Sequence, residues 1–137
     1  MKLKINAYLY IIIVALNFIS CQQKNNLITK LTAIEKDSFF CFDSLYTEKQ
    51  WDCIYILEPY ADVDNININL NSNNKWDIHH ALQSEGVCVI IFVDKNKYVS
   101  YQTITRNKID FQLSDKARFD RNFVFYKDST NIVKLKK

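Results

Sequence analysis

Val87-Cys88-Val89-Ile90-Ile91-Phe92-Val93, followed by Asp94-Lys95-Asn96-Lys97 and then Tyr98-Val99-Ser100-Tyr101-Gln102-Thr103-Ile104, is the stretch that decides the fold. A short, unbroken apolar run rich in β-branched residues predicts a strand covered on both faces. The four polar residues after it predict a turn, with Asn96 the residue best suited to a positive φ. The run from Tyr98 to Ile104 alternates and is β-branched, so the whole reads as a β-hairpin. A strand that needs cover on both sides belongs at the centre of an antiparallel sheet with a helix packed on one face. The expected class is therefore α+β: a small antiparallel sheet of about four to six strands with one or two short helices packed on it.

Other segments fall into place around that hairpin. Trp51 to Leu57 predicts a second strand, preceded by the polar turn Thr47 to Gln50 and ended by Glu58-Pro59, which holds the only proline. Ser38 to Leu45 is aromatic and strand-like. Phe123 to Tyr126 and Ile132 to Leu135 predict one or two closing strands around the turn Lys127 to Thr130. Leu27, Leu31 and Ile34 recur at helical spacing, with Thr29 as one starting residue. Residues 62–70 are ambiguous: Val63, Ile66 and Leu70 fit a helix, whereas Ile66, Ile68 and Leu70 alternate as in a strand. A short helix is the expectation there.

The N-terminus has a different character. Lys2 and Lys4 precede an apolar stretch from Ala7 to Ile19 that ends at Ser20-Cys21, the three-part layout of an export signal. That stretch is shorter than the roughly 20 apolar residues needed to span a bilayer. Phe18-Ile19-Ser20-Cys21 resembles the lipobox of bacterial lipoproteins, although Phe18 stands where leucine is usual. The resemblance implies that 1–20 is a signal peptide, that Cys21 is lipidated and becomes the mature N-terminus, and that the chain is membrane-anchored on the non-cytoplasmic side of the cell envelope. Several acyl chains give stable anchoring where a single chain gives only marginal binding. The plain alternative is an ordinary signal with an incidental cysteine. Residues 21–26 then form a tether and 27–137 a single α+β domain.

Loss of Lys2 and Lys4 would take the formal charge from +3 to +1, which leaves no basic field for nucleic acid. Three cysteines remain, Cys41, Cys53 and Cys88, so at most one disulfide forms; Cys41 with Cys53 is the conceivable pair. Each lies in an apolar stretch, where a thiol serves as a small hydrophobe.

Trp51-Asp52, Tyr55, Pro59-Tyr60, the hairpin around VIIFVDKNKYVSY, Arg106 and Asp110-Phe111 together resemble landmarks of small bacterial lipoproteins and secreted proteins with a WD-x-x-Y-x-x-x-PY core. Gly86 is the only glycine, fewer than that pattern has. The resemblance implies a compact sheet-and-helix domain and leaves its biochemical role unassigned.

Candidate chemistry is sparse. Asp77 with His79 and His80 suggests general-base work, but neighbouring histidines diverge by about 100° on a helix, and a solvated helix face explains them. Asp62 and Asp64 suggest a calcium loop but lack its glycine and distal glutamate; helix capping explains them equally. Asp52 is placed to face Arg106 as an ion pair. No catalytic, metal or cofactor residues are assigned. The expected function is a non-enzymatic binding or inhibitory domain with an envelope or extracellular protein partner, anchored by Tyr46, Tyr60 and Trp76. The alternatives are a hydrolase-like enzyme using Asp and His in a cleft, or a structural envelope component.

Overall fold

A computed structural model describes residues 26–114 and 116–136. The signal segment, Cys21 and most of the tether lie outside the described residues. The elements run α1 Asn26–Ala33, β1 Ser38–Phe40, β2 Cys53–Leu57, α2 Ser72–Leu82, β3 Val87–Asp94, β4 Lys97–Thr105, β5 Asp110–Gln112, β6 Arg118–Asp120, β7 Phe125–Lys127 and β8 Ile132–Leu135. The fold is α+β, with two four-stranded sheets where a single one was expected. One has the order β4-β3-β2-β6 and the other β1-β7-β8-β5. All pairings are antiparallel except β5 with β8.

The β3–β4 hairpin forms as its sequence predicts. Lys95 and Asn96 both have positive φ, 48° and 62°, the pattern of a two-residue type I′ connection. Asp52 fixes that turn, its Oδ2 accepting from the Lys95 N–H at 2.9 Å. The Asp52–Arg106 pair expected from sequence does not form. Arg106 forks onto Asp110, with Nε to Oδ1 at 2.6 Å and Nη2 to Oδ2 at 3.0 Å, because the short link from β4 to β5 brings the two residues together. A register shift beside Val93 makes Val99 an extra residue in β4.

β3 is apolar throughout because it serves two cores. Cys88, Ile90 and Phe92 face one cluster with Ile54, Ile56, Phe111, Phe119, Phe125 and Val133, which fills the space between the sheets. Val89, Ile91 and Val93 face the other with Cys53, Tyr55, Ile78 and Leu82, beneath α2. The layers are thus α2, the first sheet, the inter-sheet core and the second sheet. Leu27 and Leu31, one helical turn apart, insert α1 into the inter-sheet core.

The C-terminal end of α1 rests on a buried cation. Lys127, 1% exposed, donates from Nζ to the carbonyls of Leu31 at 3.2 Å, Thr32 at 3.2 Å and Ile34 at 2.7 Å. These are the carbonyls a helix end leaves without partners, at the negative pole of its dipole. Desolvation, and then the Lys36 ammonium, pull the Lys127 pKa below its usual value.

Several boundaries differ from expectation. β1 stops at Phe40, and Phe42–Ser44 makes a 3-10 turn in place of a strand continuing to Leu45. Residues 62–70 are not a helix beyond the single 3-10 turn Val63–Asn65. Asparagines at alternate positions favour local side-chain bonding over helix, and Ile66, Ile68 and Leu70 instead pack on the α2-side core. α2 begins only after Asn71, whose side chain accepts from the Asn74 N–H at 2.8 Å. The first helix opens at Asn26, one residue inside the expected tether and ahead of Thr29. Cys41, Cys53 and Cys88 are all free thiols, so the Cys41–Cys53 bridge is absent.

Candidate functional site

Of the three aromatic anchors expected from sequence, Tyr46 is internal. It is 4% exposed, its ring stacks on Phe92 with centroids 3.9 Å apart, and its hydroxyl bonds Ser100 Oγ at 2.7 Å. The 3-10 turn at Phe42–Ser44 folds the chain back, the Tyr46 N–H bonding the Phe42 carbonyl at 3.0 Å, so a residue beside a polar loop turns inward. Tyr46 is therefore corrected from surface anchor to core residue.

Trp76 and Tyr60 are exposed, 66% and 61% respectively. α2 buries Ile78 and Leu82 and turns Trp76 outward, where its indole lies on His80 with centroids 5.2 Å apart and planes 24° from parallel. Tyr60 has φ 64° and its N–H donates to the Leu82 carbonyl at 2.8 Å, which holds it at the C-terminal end of α2. Partial desolvation, then the hydrogen-bonded Glu85 carboxylate, push its phenol upward. The six residue steps from Trp76 to Leu82 correspond to roughly 9 Å of helix axis, so the two aromatics stand at different levels of one helix.

The Asp and His groups do not converge. Asp52 serves the hairpin turn, His79 Nδ1 bonds Gln83 Nε2 at 3.5 Å and His80 stacks on Trp76. Asp62 caps its 3-10 turn, Oδ1 accepting from the Asp64 N–H at 2.9 Å, while Asp64 pairs with Lys75. Among the described residues no group of three or more His, Cys, Asp or Glu side chains is placed to hold a metal ion.

Two adjoining hollows, one on the second sheet and one between its β5 edge and the ends of β2 and β4, had no counterpart in the sequence reading. The outward row across this sheet is Phe39, Tyr126, Lys134 and Gln112, as the registers β1–β7, β7–β8 and β5–β8 require. A mostly apolar hollow of about 380 Å³ is walled by Phe39, Tyr126 and Leu135. A more polar one of about 780 Å³ is lined by Glu58, Arg106, Phe111, Gln112 and Ser114. Lys134, Leu135 and Lys136 border both.

The side chains around these hollows are held firmly. Phe39 and Tyr126 lie 5.2 Å apart, and the Tyr126 hydroxyl donates to Asp37 Oδ1 at 2.9 Å, a bond that raises its phenol pKa. Lys134 donates to Asp128 at 2.7 Å; that bond, with those from Thr130 and Ile132, drives the Asp128 carboxyl far below the usual carboxylate range. The Asp110 hydrogen bond raises the Arg106 pKa. Lys136 sits over the Phe39 ring, 5.4 Å from its centroid, and forms no ion pair among the described residues. The sequence marked Ile132 to Leu135 as a closing strand, but the pairing that sets Phe39 beside Tyr126 spans most of the chain.

Among the described residues no helix is long and apolar enough to cross a membrane. No protein-family model, no curated protein and no solved structure matches the chain.

Proposed function

We propose that this chain is a small lipoprotein of the cell envelope, held at the membrane through lipidated Cys21, whose domain binds an envelope or extracellular protein without turning over a substrate. The N-terminal charge, apolar run and Ser20-Cys21 boundary support the anchor, as does the likeness of Trp51-Asp52, Tyr55 and Pro59-Tyr60 to small bacterial lipoproteins.

Trp76 is the observation that carries the binding reading. A domain that buries most of its large apolar side chains leaves this indole two-thirds exposed, on a helix whose other face is locked into the core. Tryptophan dominates binding hot spots because it offers a large apolar area at little conformational cost. His80 stacks on the ring and restrains it, so less ordering remains to be lost on docking. Tyr60, at the C-terminal end of the same helix, is a second exposed aromatic. A shared membrane raises the effective concentration of partner and domain, so a modest interface suffices.

Crosslinking and affinity capture from the native envelope test this. Trp76→Ala should cut partner recovery about tenfold or more while leaving the melting temperature within a few degrees, with Tyr60→Ala weaker in the same direction. Unchanged recovery by both variants contradicts the assignment of the surface. A hydrolytic activity abolished by His80→Ala would replace binding with catalysis.

A further inference from the structure

Two hollows that meet at Lys134 to Lys136, one on the outer face of the second sheet and one at its β5 edge beside Glu58 and Arg106, carry a different ligand chemistry. We propose that they bind a single-chain anionic amphiphile, with its alkyl tail against Phe39 and Tyr126 and its carboxylate or phosphate head at Lys136, beside the Asp128-paired Lys134.

Each half of such a ligand meets a matching surface. The smaller hollow offers aromatic walls, and Phe39 is 58% exposed at its edge although it belongs to a strand. The larger hollow offers Gln112, Ser114 and Arg106, and the boundary between the two is the cationic pair Lys134 and Lys136 around Leu135. At about 380 and 780 Å³ both lie within the range of small-ligand pockets.

Charge complementarity fixes the sign of the head group. Arg106 is neutralised by Asp110 and Lys134 by Asp128, so these two order the rim. Lys136 has no carboxylate partner among the described residues and is held only by the ring of Phe39, through a cation–π contact. Its charge is available to an anion, and the contact places it where an apolar tail would emerge from a head group. Glu58, on the far wall of the polar hollow, disfavours a second negative charge there and selects for a single anionic head at the Lys134–Lys136 end.

Titration of the full-length chain with sodium decanoate, followed by calorimetry and by amide shifts, tests the site. Saturable binding is expected, with shifts at Phe39, Tyr126 and Lys134 to Lys136. Lys136→Glu and Phe39→Ser should each weaken it about tenfold; both residues are surface-exposed, and circular dichroism is the check that the variants fold. Trp76→Ala should leave decanoate binding unchanged, which separates this site from the protein-binding face. Four results would overturn the proposal: decanol binding as tightly as decanoate, inorganic phosphate binding as tightly as decanoate, no saturable binding, or an unaltered affinity in Lys136→Glu. Association with anionic phospholipid vesicles in the absence of decanoate binding would instead make this face a bilayer-docking surface.

Discussion

Cys53 and Cys88 face opposite cores from adjacent strands, and both are sealed from water. Desolvation, the largest influence on each, raises their thiols from 9.0 to about 11. In the unfolded chain both would ionise near 9.0, so between pH 9 and 11 the unfolded state loses protons that the native state keeps. Stability should be level below pH 9 and fall as the pH rises to 11, by at most about 2–3 kcal/mol per thiol. Tyr98 and Tyr101, whose phenols burial also raises, add a loss of the same sign above pH 10. Thermal melts from pH 8 to 11 check this, and Cys53→Ala/Cys88→Ala should flatten most of the decline; an equally steep fall in the double variant would assign it elsewhere. The burial of these thiols was legible in the sequence, because each interrupts a run of apolar neighbours. The burial of Tyr46 and Lys127 was not. Each sits beside polar residues, and what draws it inward is a distant group: Ser100 in one case and the end of α1 in the other.

The element that carries most of the architecture is the β3–β4 hairpin. Its strand identity, the place of its turn with a positive φ at Asn96, and the double-sided burial of β3 were all readable, because turn chemistry and apolar pattern are local properties. The same locality explains the failures. β5 and β6 are three-residue strands without a periodic signature of their own, and they exist because longer strands offer them an edge. In 62–70, helical and alternating patterns competed, and cover over the face of the first sheet decided for the extended form. If β3 is the stability centre, Ile91→Ala should cost about 2–5 kcal/mol, since Ile91 is fully buried beneath α2. His79→Ala, on the solvent side of the same helix, should stay within about 0.5 kcal/mol. Denaturant melts of both variants decide this, and a loss under about 0.5 kcal/mol for Ile91→Ala would displace β3 from that role.

At the scale of the molecule, one sheet was foreseen and two are present, because the partition of strands between sheets depends on pairings such as β1 with β7 that no local pattern announces. The paired hollows depend on those same pairings, whereas Trp76 and Tyr60 needed only their own elements to be exposed. Cys21→Ala should yield a chain that is unprocessed or released from the membrane. Intact-mass measurement of the wild-type chain should find an acyl adduct, and its absence would remove the anchor. The Lys127 contact with α1 joins positions 93 to 96 residues apart. An eight-residue helix is too short to persist alone, so α1 stays open until β7 arrives to hold its end. β1 waits for the same strand. For a chain made from its N-terminus, α1 and β1 therefore cannot settle until residues 125–127 have emerged, which delays closure of the core to the end of synthesis.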